Sequence, residues 1–204
     1  MKNKKHFHYS LTRLYLFTAC VIFAVAILSE SADAGYFGYD IQGGSTYTMT
    51  PSYCWGNKYN LDFYTAGGGE VVDTFIIWCN PQNNNSKVVF GLYSVSGGVI
   101  QSKMLVSDTL TLTGSGISRW VRPAAFTLTA GTQYTICIDI SGLGGPAVCY
   151  GSQTNAVSRN SNAVFPDTWT DDLSAGLRYC VAAHYMPGSV DNLNRRRSIL
   201  GGER

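Results

Sequence analysis

Charge and helical patterning are both scarce in this chain. Only 14% of its 204 residues are Asp, Glu, Lys or Arg. After residue 34, no stretch repeats apolar residues at three- and four-residue spacing between helix caps, which excludes a helical domain. Four of the fifteen basic and two of the thirteen acidic residues precede position 35, so eleven of each sign remain. We interpret the one basic cluster, 195–197, as part of a solvated tail, and no surface for nucleic acid is expected.

The residues that usually carry catalysis are also few. After position 34 the chain keeps one histidine, His184, and Glu70 is the only glutamate between 35 and 186. No GxSxG or CxxC motif is present. We interpret His184 as a strand histidine near the surface, and Glu70 as part of a solvated turn after three glycines. The sequence therefore predicts no catalytic residue and no enzyme.

The first 34 residues have the pattern of an export signal. A basic start is followed by an apolar run over 14–28 and by Ala32-Asp33-Ala34, which predicts cleavage before Gly35. The run is shorter than the roughly 20 residues that span a bilayer. We expect a secreted, periplasmic or cell-surface protein with no membrane segment after cleavage; an uncleaved anchor is the alternative. The predicted parts are a signal peptide (1–34), one domain (35–186) and a flexible basic tail (187–204).

Features typical of β-structure are abundant: glycine, tyrosine and short segments in which apolar and polar residues alternate. The stretch FTLTAGTQYTICIDISG is a turn followed by a strand that alternates Tyr134, Ile136, Ile138 and Ile140 with polar residues or Cys137. Short strands between turns predict an all-β fold, a single sandwich or jelly roll of antiparallel strands. The predicted strands are 46–49, 59–64, 71–78, 87–95, 103–106, 118–121, 133–140, 147–151 and 177–185.

The order of these segments resembles a known class of module. GYFGYDIQGG is followed by KYNLDFYTAGGGEVVDTFIIW, VVFGLYSVSGGVIQSKML, FTLTAGTQYTICIDISG and FPDTWTDDLSAGLRYCVAAHY. The arrangement is similar to jelly-roll sandwiches of exported bacterial and phage proteins, including choice-of-anchor and carbohydrate-binding-module-like domains. This resemblance implies a non-catalytic surface or secreted module, and it makes a structural calcium worth testing.

Five cysteines follow the predicted signal, an odd number. In an oxidising compartment they are expected to form disulfides. A turn over 142–146 favours Cys137 with Cys149, and Cys54 with Cys79 is the second pairing. Buried thiols are the alternative, and an unpaired cysteine is a route to oligomers.

Two loops carry the candidate binding residues. Trp169 with Asp167, and Trp55 with Tyr53, combine an aromatic ring with polar neighbours, as glycan sites do. Asp167 with Asp171 and Asp172 supplies oxygen ligands of the kind that calcium prefers, so these three are the predicted metal site; no other cofactor is expected.

Two functions follow from these candidates. The first is an exported, non-catalytic module that binds an extracellular ligand, such as a glycan or a protein, through the loop aromatics. The alternative is a structural or assembly subunit of a cell-surface or extracellular structure, with contacts through tyrosine-rich faces and the odd cysteine.

Overall fold

A computed structural model describes residues 34–49, 53–82, 86–141, 145–160, 165–170 and 173–188. The predicted signal peptide and nearly all of the predicted tail lie outside these ranges. Within them, no helix is long and apolar enough to cross a membrane. The described chain is built of β-strands with one single-turn 3-10 helix, Asn60–Asp62. The strands are β1 (Gly35–Gly38), β2 (Ser45–Thr48), β3 (Cys54–Asn57), β4 (Tyr64–Thr65), β5 (Val71–Asn80), β6 (Lys87–Ser96), β7 (Val99–Val106), β8 (Leu110–Thr111), β9 (Ser118–Thr127), β10 (Gln133–Ser141), β11 (Ala147–Asn160), β12 (Leu173–Tyr179) and β13 (Val181–Met186).

The strands form two antiparallel sheets, which confirms the predicted all-β sandwich. The first sheet has the order β9-β5-β13-β1, and the second has the order β11-β3-β10-β6-β7. β11 joins them, because its first residues pair with the end of β5 and residues 157–160 pair with β3. A strand that passes between sheets in this way is a known means of closing a sandwich corner. The finer jelly-roll connectivity stays a prediction.

The core lies between the two sheets and follows from the alternation in the sequence. Tyr134, Ile136, Ile138 and Ile140 of β10 all point into it, as predicted. Phe75 of the first sheet stacks on Phe90 of the second, with ring centroids 5.3 Å apart. Burial of each such side chain contributes about 1.5–3 kcal/mol.

Two predicted strands are not continuous: 177–185 divides at Cys180 into β12 and β13, and 59–64 is not a strand over most of its length. Residues 59–64 form the 3-10 helix and the start of β4 instead of a continuous strand. The reason is a tertiary ion pair, since Arg178 donates to both carboxylate oxygens of the fully buried Asp62 side chain. The turn that places Asp62 inside leaves Leu61 71% exposed.

Candidate functional site

Two tryptophans that the sequence offered as ligand-binding residues are buried. Trp169 is 5% exposed and Trp55 is 4% exposed. Trp55 belongs to the core between the sheets, where its indole meets Tyr53, Tyr47 and Tyr179 edge to face. Neither tryptophan offers a ring face to solvent, so the predicted loop site is not assembled in this structure. Their physical role is packing.

Trp169 belongs to a segment, residues 165–170, that lies over the outer face of the second sheet. We call this segment the cover. Phe165 and Trp169 pack there with Cys54, Tyr93 and Cys137, and this surface is the covered face. The indole meets the Tyr93 ring edge to face at 5.2 Å.

Two glycines in the strands make room for the cover. A Cβ atom on Gly91 would lie 2.8 Å from the Phe165 ring, and one on Gly56 would lie 3.4 Å from the Trp169 indole. Glycine inside a strand commonly marks such a close approach.

The cover is also hydrogen-bonded to the edge of β7. Trp169 N donates to Gln101 O at 2.8 Å, and Lys103 N donates to Asp167 O at 2.9 Å. The Lys103 ammonium lies 2.6 Å from the Asp167 carboxylate. The cover therefore acts as a short added strand that blocks a free sheet edge.

The predicted calcium ligands are not brought together in the part of the chain described here. Asp167 is paired with Lys103, while Asp171 and Asp172 lie outside the described residues. Within the described ranges, no group of three or more His, Cys, Asp or Glu side chains is arranged to hold a metal. The calcium site stays a prediction.

The predicted disulfides are wrong. All five cysteines of the described chain are buried thiols. Cys54 and Cys137 lie on the covered face, whereas Cys79, Cys149 and Cys180 lie where β11 leaves the first sheet. Both predicted pairs, Cys137–Cys149 and Cys54–Cys79, would join a cysteine of the covered face to a cysteine beside the start of β11. The turn after β10 misled the prediction, because β10 pairs with β3, β4 and β6 and not with β11.

Burial also makes several of these thiols unreactive. It raises the pKa of Cys54, Cys79 and Cys180 to about 12. Because the thiolate is the reactive form, these cysteines are poor candidates for bonds between chains.

The covered face contains one charged group in an unusual setting. Asp139 of β10 lies opposite Cys54 and is 8% exposed. Its Oδ1 atom has no hydrogen-bond partner among the described residues. Burial raises the pKa of Asp139 to about 6, and the backbone N–H of Ile140 only partly offsets that effect.

The outer face of the first sheet is different, since large apolar side chains on it are exposed. We call it the open face; it includes Tyr36, which is 58% exposed, and Val121, which is 47% exposed. Tyr36 lies opposite His184, and their ring centroids are 4.8 Å apart. His184 Nδ1 lies 2.7 Å from Asp73 Oδ1.

A bulge in β5 is what turns Asp73 toward His184. The registers of β5 with β9 and with β13 both pass from Val72 to Thr74 and skip Asp73. A bulged residue of this kind re-aims a side chain. Val72 stays in the core, so Asp73 joins His184 on the open face.

A second polar pair lies nearby on the same face. Asp40 accepts hydrogen bonds from Arg119 Nη2 at 2.7 Å and from Trp78 Nε1 at 2.7 Å. Burial alone would raise the pKa of Asp40, but the hydrogen bonds from Arg119 and Trp78 outweigh it and hold that pKa below its usual value. Arg119 also hydrogen-bonds Tyr36, which links the pair to the exposed ring.

Glu70 is buried and holds the glycine turn, contrary to the solvated position expected from sequence. Its carboxylate accepts from Gly67 N at 2.9 Å, from Gly68 N at 2.6 Å and from the Tyr64 hydroxyl at 3.3 Å. Burial would raise the pKa of Glu70, yet these donors lower it overall. The carboxylate is therefore committed to the turn.

No protein-family model and no curated protein matches the chain. Among solved structures, it is similar to a clostridial cysteine protease, Cwp84, after propeptide cleavage, with a TM-score of 0.53 and 13% identity. The match covers 76% of this chain and 41% of the protease chain, so this chain spans less than half of that protein's length. At such low identity the similarity concerns the fold alone.

Proposed function

We propose that this chain is an exported, non-catalytic β-sandwich module that binds an extracellular ligand, such as a glycan, on its open face. The observation that carries the proposal is Tyr36, an exposed aromatic ring flanked by two polar pairs. Export rests on the signal predicted for residues 1–34. The proposal keeps the function class expected from sequence and moves the site from the loops to the sheet.

The chemistry of this face suits a sugar. Sugar rings have apolar faces that stack on aromatic side chains, while their hydroxyls need donors and acceptors close by. Tyr36 offers the ring, and the Arg119–Asp40 and His184–Asp73 pairs offer both kinds of polar group. These pairs are already oriented by their mutual hydrogen bonds, which lowers the entropy lost when a ligand is bound.

Other aromatic residues give less support. Trp169 and Trp55 are buried, so their rings have no free face for a sugar. Tyr47 is 39% exposed, but its ring packs on Trp55 and Tyr179 and not on a charged pair of the described residues. Tyr47 is therefore a matched control rather than a second candidate.

The test is a glycan array probed with the purified wild-type chain and with Tyr36→Ala and Tyr47→Ala. We expect the wild type and Tyr47→Ala to be retained by the same glycans, and Tyr36→Ala to lose about ten-fold in affinity, because an aromatic stacking contact contributes about 0.5–1.5 kcal/mol beyond the area that it buries, and about 1.4 kcal/mol corresponds to ten-fold. Thermal melts of all three chains separate loss of binding from loss of fold.

Two results would count against the proposal. One is a wild-type chain that no glycan retains. The other is a folded Tyr36→Ala chain that binds as well as the wild type does, which would place the site elsewhere.

A further inference from the structure

The covered face contains a carboxylate that its surroundings do not satisfy. Asp139 is nine-tenths buried, and its Oδ1 atom has no hydrogen-bond partner among the described residues. Leaving a buried charge unpaired is costly, and such a group gains either by binding a proton or by reaching water. The covered face therefore favours the neutral form of Asp139.

The groups around Asp139 do not replace the missing partner. Cys54 from β3 and Tyr93 from β6 are close enough for the Asp139 charge to raise their pKa values further. Cys137 is in the same cluster. Lys103 of β7, the cation that holds the cover, is already paired with Asp167 at the rim. The acidic groups of Cys54 and Tyr93 thus lie close to Asp139, while burial and the Ile140 N–H, and no cation, set its pKa.

The cover is attached through polar contacts at its edge, among them Lys103 Nζ, which donates to Phe165 O at 3.1 Å and pairs with the Asp167 carboxylate. Backbone bonds join Trp169 to Gln101 and Lys103 to Asp167. The Tyr93 hydroxyl donates to Pro166 O at 2.6 Å. Residues 165–170 make only one isolated β-bridge, Ser102 with Thr168, and no continuous ladder. A segment held this way opens at less cost than a core strand.

We propose that ionisation of Asp139 loosens the cover, so that the outer face of the second sheet opens to solvent as pH rises. Opening admits water to the carboxylate and exposes the aromatic surface of Phe165, Tyr93 and Trp169. This device is separate from ligand binding at the open face.

The direction follows from the two protonation equilibria. With the cover closed the pKa of Asp139 is about 6, whereas an opened, hydrated carboxylate returns toward the ordinary value of 3.8. The closed form therefore binds the proton more tightly, and closure is most stable below about pH 4. This stabilisation of the closed cover falls as pH rises from about 4 to 6 and is absent above pH 6. The equilibrium constant for opening is then up to about a hundred-fold larger than at acid pH.

Amide hydrogen exchange on the full chain tests this proposal residue by residue. The reporters are the Trp169 and Lys103 amides, which bond across the cover, and the control is the Cys180 amide, which bonds Cys149 O at 2.9 Å away from it. Wild type and Asp139→Asn are compared at pH 4.5 and pH 7. Taking the ratio of the two chains at each pH cancels the intrinsic pH dependence of exchange.

We expect the reporter amides of the wild type to exchange at least ten-fold faster than those of Asp139→Asn at pH 7, and by a clearly smaller factor at pH 4.5, where the effect of ionising the opened carboxylate has only begun. The Cys180 amide should show no such difference. Equal reporter rates in the two chains at pH 7, or a Cys180 amide that changes as much as the reporters, would overturn the proposal.

A second measurement needs no variant and holds even if Asp139→Asn does not fold. In the wild type alone, protection of the Trp169 amide relative to the Cys180 amide should fall from pH 4.5 to pH 7. A ratio that stays constant would contradict the proposal.

Discussion

The two outer faces of this sandwich differ in exposure: one is covered by a segment of the chain, and the other has exposed aromatic and apolar side chains. On the second sheet, residues 165–170 fold back over the strands, and Tyr93 and Trp169 are buried beneath or within that cover. On the first sheet, Tyr36 stays 58% exposed and its charged neighbours are paired with one another. The contrast teaches that aromatic residues in this chain are buried in packing on one face and include an exposed ring on the other.

The carboxylates show the same contrast. Asp139 on the covered face lacks a partner for one oxygen, and its pKa is raised to about 6. Asp40 on the open face is held by Arg119 and Trp78, which outweigh its burial, and its pKa is lowered. The open face therefore contains pre-oriented polar groups, whereas the covered face contains an unsatisfied one.

The largest effect should come from removing the covering ring. Trp169→Ala deletes a buried indole next to Tyr93 and leaves a cavity, so we expect the free energy of unfolding to fall by about 3–5 kcal/mol. Urea denaturation measures it. Tyr36→Ala is the matched change on the open face and should cost less than about 1 kcal/mol. Equal losses of unfolding free energy in Trp169→Ala and Tyr36→Ala would contradict the difference between the two faces.

A smaller loss of unfolding free energy is expected when a methyl group is added beneath the cover than when its tryptophan ring is removed. In Gly91→Ala the new methyl group would lie 2.8 Å from the Phe165 ring, so the cover or the strand must shift. Overpacking of this kind costs about 1–3 kcal/mol. Gly44→Ala, where an added Cβ meets nothing within 4 Å, is the control. If Gly91→Ala and Gly44→Ala have the same melting temperature, the cover does not lie tightly on Gly91.

The two faces should also differ in the sign of their pH dependence. The pKa of Asp40 is lowered in the folded chain, so its pairs add stability above the unfolded pKa and lose it as pH falls through the folded value. The pKa of Asp139 is raised, so its contribution is largest below the unfolded pKa and is lost as pH rises to about 6. Asp139→Asn should therefore be more stable than the wild type at pH 7, by roughly 1–3 kcal/mol. Equal stability of the two chains at pH 7 would contradict this sign.

The smallest effect is expected for the surface pair itself. Asp40→Asn weakens the bonds to Arg119 and Trp78, and a partly exposed pair of this kind contributes about 0–1 kcal/mol. The loss should shrink as pH falls toward the lowered pKa of Asp40, because the wild-type carboxylate then begins to bind a proton and its pairs weaken. Denaturation at pH 3 and pH 7 measures it. A loss that grows toward acid pH would indicate that Asp40 does not act through its charge.

Much of the fold was predictable because its strands alternate. The apolar stripe of β10 and most of the spans of β5 and β6 follow from residues that lie close together in sequence. The cover was not predictable in the same way, because its burial depends on contacts with Gly91 and Tyr93, some 70 residues away, and on no strand pattern of its own. Two glycines within strands, Gly56 and Gly91, were the available signal of a close approach.

The open face shows a similar limit. Tyr36 and His184 are each consistent with a strand, but their contact depends on how β1 pairs with β13. Asp73 reaches His184 only because β5 has a bulge there, and alternation in the sequence does not reveal a bulge. Tryptophans near turns can be identified from the sequence, whereas the exposure of Tyr36 beside His184 depends on strand pairing that the sequence does not show.

Hydroxyl-radical footprinting of the wild-type chain at pH 5 tests the contrast between the faces most directly, because it reads the accessibility of each ring without a ligand. Tyr36 should be oxidised at least ten-fold faster than Tyr93 and Trp169, in line with the exposed and buried positions of these side chains. Oxidation of Trp169 as fast as that of Tyr36 would contradict the account, since the second sheet would then be as open as the first.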